Sequence, residues 1–241
     1  IDADTDDNGA GTFTLAASKA LSTTANTLSI TADDIALSGT VNTAGSTTTL
    51  LVSDGGTIGL GATAGNMTIS GAELQNITTT SLVIGDTTSG NITVDGITAA
   101  NSNNISGTVT LNATAAGASL SFSNTASTFN AVTANADNRI SVNADLTADA
   151  GHLRLEGDAD NAADGNDDIR FAAGVTVTAA NTLFLDATTG GMTGLGALTL
   201  NAGNGISLPD NLTTAGATVI DADTNDNGSG TFSISAAKAL S

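Results

Sequence analysis

The 241-residue chain has no cysteine, no tryptophan, no tyrosine and a single proline. Without cysteine, neither a disulfide framework nor a thiolate metal site can form. Six phenylalanines are its only aromatic residues. Ring packing therefore cannot dominate a core, which argues against a sandwich built around a buried Trp or Tyr. Basic residues are also scarce: five, against 24 acidic ones, for a net charge of −19. That surface repels nucleic acid and anionic lipid, so neither is expected as a partner, and it attracts divalent cations. No apolar run approaches the roughly 18 residues a membrane-spanning helix needs, so no membrane insertion is expected. The single histidine, His152, has no serine or cysteine motif to work with. Paired-carboxylate hydrolysis would be open on residue type alone. A polysaccharide-cleaving β-helix, however, would be expected to carry aromatic platforms and a cationic cleft, so the sequence predicts no catalytic residues and no enzyme.

What the chain does contain is Thr, Ser, Asn, Ala, Asp and 28 Gly, with scattered Val, Ile and Leu. That mixture suits short strands and tight turns and disfavours long helices. The recurring local pattern is apolar-x-apolar, as in Leu82-Val83-Ile84, Ile92-Thr93-Val94, Val109-Thr110-Leu111, Leu120-Ser121-Phe122 and Leu183-Phe184-Leu185. Successive side chains of a strand point to opposite faces, so the outer two of each triplet face inward and the middle one faces water. Asn-Gly, Asp-Gly and Gly-Gly turns separate the triplets, for example Asp54-Gly55-Gly56, Asp95-Gly96 and Gly190-Gly191. The pattern predicts an all-β chain wound as a β-solenoid with coils of roughly 20–25 residues. Residues 16–21 could at most add one helical turn. The acidic stretch 156–168 breaks the rhythm and is expected to be a protruding loop, with the outward Arg154 and Arg170 pairing with it.

The two ends of the sequence are nearly the same. Residues 1–22 and 220–241 agree at 16 of 22 positions, offset by 219. Fixed-period self-similarity marks repeat architectures, whose units stack on neighbours. The expected organisation is one multi-coil solenoid repeat over 1–219 and the start of the next over 220–241. A 219-residue unit would hold about ten coils and rise about 50 Å at the usual strand spacing.

The repeated segment carries the most specific local motif. Asp4-Thr5-Asp6-Asp7-Asn8-Gly9 fits the D-x-[DN]-x-[DN]-G opening of a calcium loop, and Asp223-Thr224-Asn225-Asp226-Asn227-Gly228 fits it again. Oxygen ligands at alternate positions can converge on one ion, which makes Asp4, Asp6, Asn8, Asp223, Asn225 and Asn227 candidate calcium ligands. The bidentate Glu expected at loop position 12 is missing, with Leu15 and Ile234 in its place, so an EF-hand is excluded. The competing reading is an Asp/Asn-rich turn that only solvates its carboxylates.

The texture of the whole chain, as in Gly151-His152-Leu153-Arg154-Leu155-Glu156-Gly157 and Gly196-Ala197-Leu198-Thr199-Leu200-Asn201, resembles the repeat regions of giant bacterial surface proteins, the filamentous-haemagglutinin-like exoproteins and adhesins. The resemblance implies a right-handed parallel β-helix, secretion to the extracellular space or bacterial cell surface, and an adhesive or fibre-forming role. Neighbouring repeats of the same chain, and other copies in a fibre, are the partners it implies. The 219-residue period departs from the shorter repeats of that family.

Overall fold

The computed structural model describes residues 1–241. Strands make up 46% of the chain and helices 5%, so the all-β expectation is met. Every strand pairing between named strands is parallel. The chain therefore returns to the same side after each circuit, the arrangement expected of a stacked-coil winding and consistent with a β-solenoid.

Three sides can be followed. The first is a nine-stranded sheet from Leu28–Ala32 to Phe232–Ile234. One inward column on it runs Leu82, Val109, Val132, Leu153, Leu183, Ile206, Phe232, each in register with the next. The second side is an eight-stranded sheet from Ile58–Gly61 and Met67–Ile69 to Leu212–Thr214. The third holds five strands, from Ser127–Phe129 to Thr218–Asp221. Towards the N-terminus the third side continues through Ala20–Ser22, Thr40–Asn42 and Ile77–Thr78, linked onward by the Thr79–Ile105 bridge.

The core is the set of inward columns. Both outer residues of every quoted triplet are buried, and the buried apolar residues form one continuous cluster along the stack. Large and small side chains alternate between columns. Phe122, Val142 and Phe171 follow one another on the second side. On the third side Phe129 is followed by Ala148, Ala179 and Ala202. Small residues opposite rings keep each layer filled without strain.

Two short helices were not legible in the apolar pattern. Gly71–Gln75 and Ala99–Ser102 lead into the third side in adjacent circuits, just ahead of Ile77 and Ile105. Each starts with a reciprocal capping box, Ser70 with Glu73 and Thr98 with Asn101. Glu73 also accepts a hydrogen bond from the Leu37 amide at 3.0 Å, tying its helix to the preceding coil. Residues 16–21, where a helical turn was allowed, instead form a turn at 17–18 and the strand Ala20–Ser22. The expected coil number also changes. From Thr12–Leu15 on the second side to its copy Phe232–Ile234 on the first, the chain traverses 26 sides, or eight turns and two sides. At the usual strand spacing that is a rise of about 42 Å.

Phe171 is fully buried between two circuits. Phe171→Ala should cost about 3–5 kcal/mol through the cavity it leaves. The check is chemical denaturation: a lower midpoint with unchanged slope is expected.

Candidate functional site: the repeated junction coil

The duplicated segment folds the same way twice. Asp7 and Asp226 both take left-handed backbone angles, as do Ser18 and its counterpart Ala237. In the first copy the Asp4 carboxylate accepts hydrogen bonds from the Asn8 amide at 3.4 Å and the Gly9 amide at 3.1 Å. In the second, Asp223 accepts from Asn227 at 3.2 Å and Gly228 at 2.8 Å. Asp2 and Asp221 each accept from the amide two residues on, at 3.0 and 3.1 Å. Gly11 and Gly230 are required by close approach: an added Cβ would lie 2.1 Å from the Ala3 carbonyl and 1.8 Å from that of Ala222. The turn is thus set by its own sequence and not by its neighbours.

Its neighbours differ completely. The first copy lies against the coil that follows it, with Phe13 beside Ile35, Leu15 beside Leu37 and Leu21 beside Val41. The second copy lies against the coil that precedes it, with Phe232 beside Ile206, Ile234 beside Leu208 and Leu240 beside Leu212. Each copy leaves its other edge uncovered. Phe232 and Leu240 are accordingly among the few large apolar residues left exposed.

Side-chain contacts add to the asymmetry. The Ser53 hydroxyl donates to Asp4 at 2.6 Å, from the second circuit above. That bond, with the Asn8 and Gly9 amides and against burial, holds Asp4 below its ordinary carboxylate range. In the second copy, Lys238 reaches down to Asp210 at 2.5 Å. Asp210 is buried, which opposes ionisation, but Lys238 keeps it below its ordinary value. Asn227 donates to Asn204 at 3.1 Å, Asn204 to Asn181 at 2.8 Å, and Asn181 to the ring of His152 at 3.1 Å. This side-chain ladder fastens the last coil to the three circuits before it.

The six residues singled out as calcium ligands thus occupy two turns at opposite ends of the stack. Asp4, Asp6 and Asn8 share one turn, and Asp223, Asn225 and Asn227 the other. Their oxygens mostly face protein donors: Asp6 accepts from the Asn8 side chain at 2.8 Å, Asn225 from the Asn227 amide at 3.1 Å, and Asn227 from the Ser229 amide at 2.8 Å. No group of three or more His, Asp or Glu side chains is arranged to hold a metal ion.

The acidic stretch behaves differently from a simple protruding loop. Residues 160–166 are largely exposed, but Asp158 and Asp167 at its ends are buried and both bond to Thr189. One oxygen of each, Asp158 Oδ1 and Asp167 Oδ1, has no hydrogen-bond partner, and neither has Glu156 Oε1. Arg154 pairs with Glu156 at 2.7 Å and lies over the Phe184 ring. The other ion pair here is Arg139 with Asp168 at 2.5 Å, whereas Arg170 makes none. The sequence missed Asp95, buried at a corner and bonded to Asn124 at 2.8 Å and the Thr125 amide at 3.0 Å. Its Asp-Gly setting was read as a turn, but nothing marked the carboxylate as one that clamps the next circuit.

No family model, no curated protein and no solved structure matches the chain. No helix is long and apolar enough to cross a membrane.

Glu156 gives a pH prediction. Burial, with Asp186 adding repulsion and Arg154 opposing it, pushes its carboxyl up to about 7. A raised folded-state value means the protonated form is favoured by folding. That stability is complete below the unfolded value near 4.5 and is lost as pH rises to about 7. Melting temperature should fall over this window, and Glu156→Gln should fall less. Parallel wild-type and variant slopes would assign the dependence to other groups.

Proposed function

We propose that this chain is a structural segment of a secreted bacterial surface fibre or adhesin stalk, wound as a right-handed parallel β-helix and built from units of 219 residues. One observation carries the reading. The same coil occurs twice in one conformation, covered from above in one copy and from below in the other. Overlaid, the two copies describe a coil covered on both edges, which is a junction between consecutive units. Parallel crossovers are overwhelmingly right-handed, which supports the hand. The role is mechanical: to extend, to space and to present whatever lies at the tip. The reading assigns no catalytic chemistry, and its partners are neighbouring units and other copies of the fibre. The strong acidity suits an extracellular filament, keeping exposed strand edges from associating laterally.

The test is a chain in which residues 23–241 are repeated once after residue 241. A single cooperative melt is expected, at or above the midpoint of the one-unit protein, with a maximum dimension close to doubled by small-angle scattering. Two separate transitions, or a compact particle, would overturn the reading.

A second reading keeps calcium as a stiffener of the rod. It is favoured less by the repeated turn, whose oxygens are engaged, than by the unpartnered buried oxygens of Asp158 and Asp167. Melting with and without a chelator separates the two. The structural reading expects the same midpoint in both, and a drop with chelator would favour the ion.

A further inference from the structure

We infer that the corner where the acidic loop leaves the wall binds one calcium ion, held between the buried carboxylates of Asp158 and Asp167, with Asp164 of the loop closing over it. The inference rests on the second reading above, calcium as a stiffener of the rod. It gives the ion one place, away from both copies of the junction turn.

The first observation is a pair of buried carboxylates with no counter-charge. Asp158 is fully buried and Asp167 is 4% exposed. They stand side by side, because both grip Thr189 of the next circuit. Asp158 accepts from its amide at 2.7 Å and Asp167 from its hydroxyl at 3.3 Å. Neither carboxylate is in an ion pair. The neighbouring Arg139 is engaged by both oxygens of Asp168. Two buried like charges repel and lose their hydration, a cost that a base or a metal ion offsets.

The second observation is where their free oxygens lie. Oδ1 of each makes no hydrogen bond. That of Asp167 faces the loop: a Cβ added to Gly165 would lie 2.9 Å from it, and 2.5 Å from Asn138 Oδ1. A buried oxygen without a donor calls for a water or an ion. Glu156 stands apart from this pair, since its neighbours are Arg154 and Asp186.

The third observation is the composition of the loop. Asp160 and Asp164 are exposed on it. Repulsion from Asp160 is the main reason the Asp164 carboxyl stands above its ordinary value, with desolvation, Asp137, Asp167 and Asp158 adding to it. Five carboxylates thus share one field. Two preformed carboxylates fall short of a metal site, and Asp164 supplies the third when the loop closes. Calcium suits such a site, because it takes about six to eight oxygens in flexible geometry, carbonyls and waters included, whereas magnesium demands a near-ideal octahedron.

The test is calorimetric titration of calcium chloride into the full chain after chelator treatment. One site per chain is expected, with a dissociation constant of about 10⁻⁴–10⁻³ M. Asp158→Asn with Asp167→Asn should abolish it. Asp164→Asn, on the exposed loop and harmless to folding, should weaken it by roughly tenfold or more. Asparagine keeps the shape and removes the charge, so in chelator the double variant should melt no lower than the wild type. Hydrogen exchange places the ion: amides at 159–166 should slow with calcium, and those at 4–9 and 223–228 should not. Undiminished binding in the double variant, or protection at either junction turn instead, overturns this site and leaves calcium as a stiffener standing. No heat and no protection at millimolar calcium overturns both. Magnesium binding as tightly would overturn the choice of ion.

Discussion

The structure depends on register between successive parallel strands. A parallel ladder places each side chain directly over its equivalent one circuit earlier, so an inward residue must fit the residue above and the residue below. Apolar columns such as Leu82 through Phe232 satisfy this for more than half the stack. A slip of one residue would turn an entire column outward. Corner carboxylates guard against that. Asp95 holds the amide of Thr125 in the next circuit, and Asp34 holds that of Thr68. The core supplies the burial, and the polar corners fix which strand lies over which.

The same constraint explains the buried acids. In a chain with a charge of −19, carboxylates inside would be costly unless hydrogen-bonded. Most are: Asp4, Asp95 and Asp210 each accept from a side chain and from backbone amides, and all three are held below their ordinary range. Glu156, Asp158 and Asp167 are the exceptions, each with one oxygen unpartnered, and burial also opposes the ionisation of Glu156. These unpartnered oxygens sit where the acidic loop leaves the wall.

The period-two pattern made the strands of the first and second sides legible, because Val, Ile and Leu flank a polar residue there. The triplets mark inward positions correctly at residues 82–84, 92–94 and 109–111, for example. The third side was harder. Ser127–Phe129 and Leu146–Ala148 bury Ser127 and Ala148, which carry no apolar signal of their own. The helices at 71–75 and 99–102 are too short for a helical period to show. Their capping boxes were in the sequence, but a Ser or Thr followed three residues later by Glu or Asn is common in a chain this rich in all of them. The junction coil was found from its duplication alone. That its two copies are covered on opposite edges could not be read there, because it is a property of the neighbours.

A unit of 26 sides does not return to its starting side, because 26 is not a multiple of three. The strand that lies on the second side in the first copy lies on the first side in the second. Units joined through that coil would therefore be turned about the fibre axis by a third of a revolution each. The acidic loop at 157–167 would point in three directions in succession and recover its heading at every third unit. A fibre assembled this way has no front or back. Its charge is spread evenly around its circumference, and it would resist bending alike in every plane.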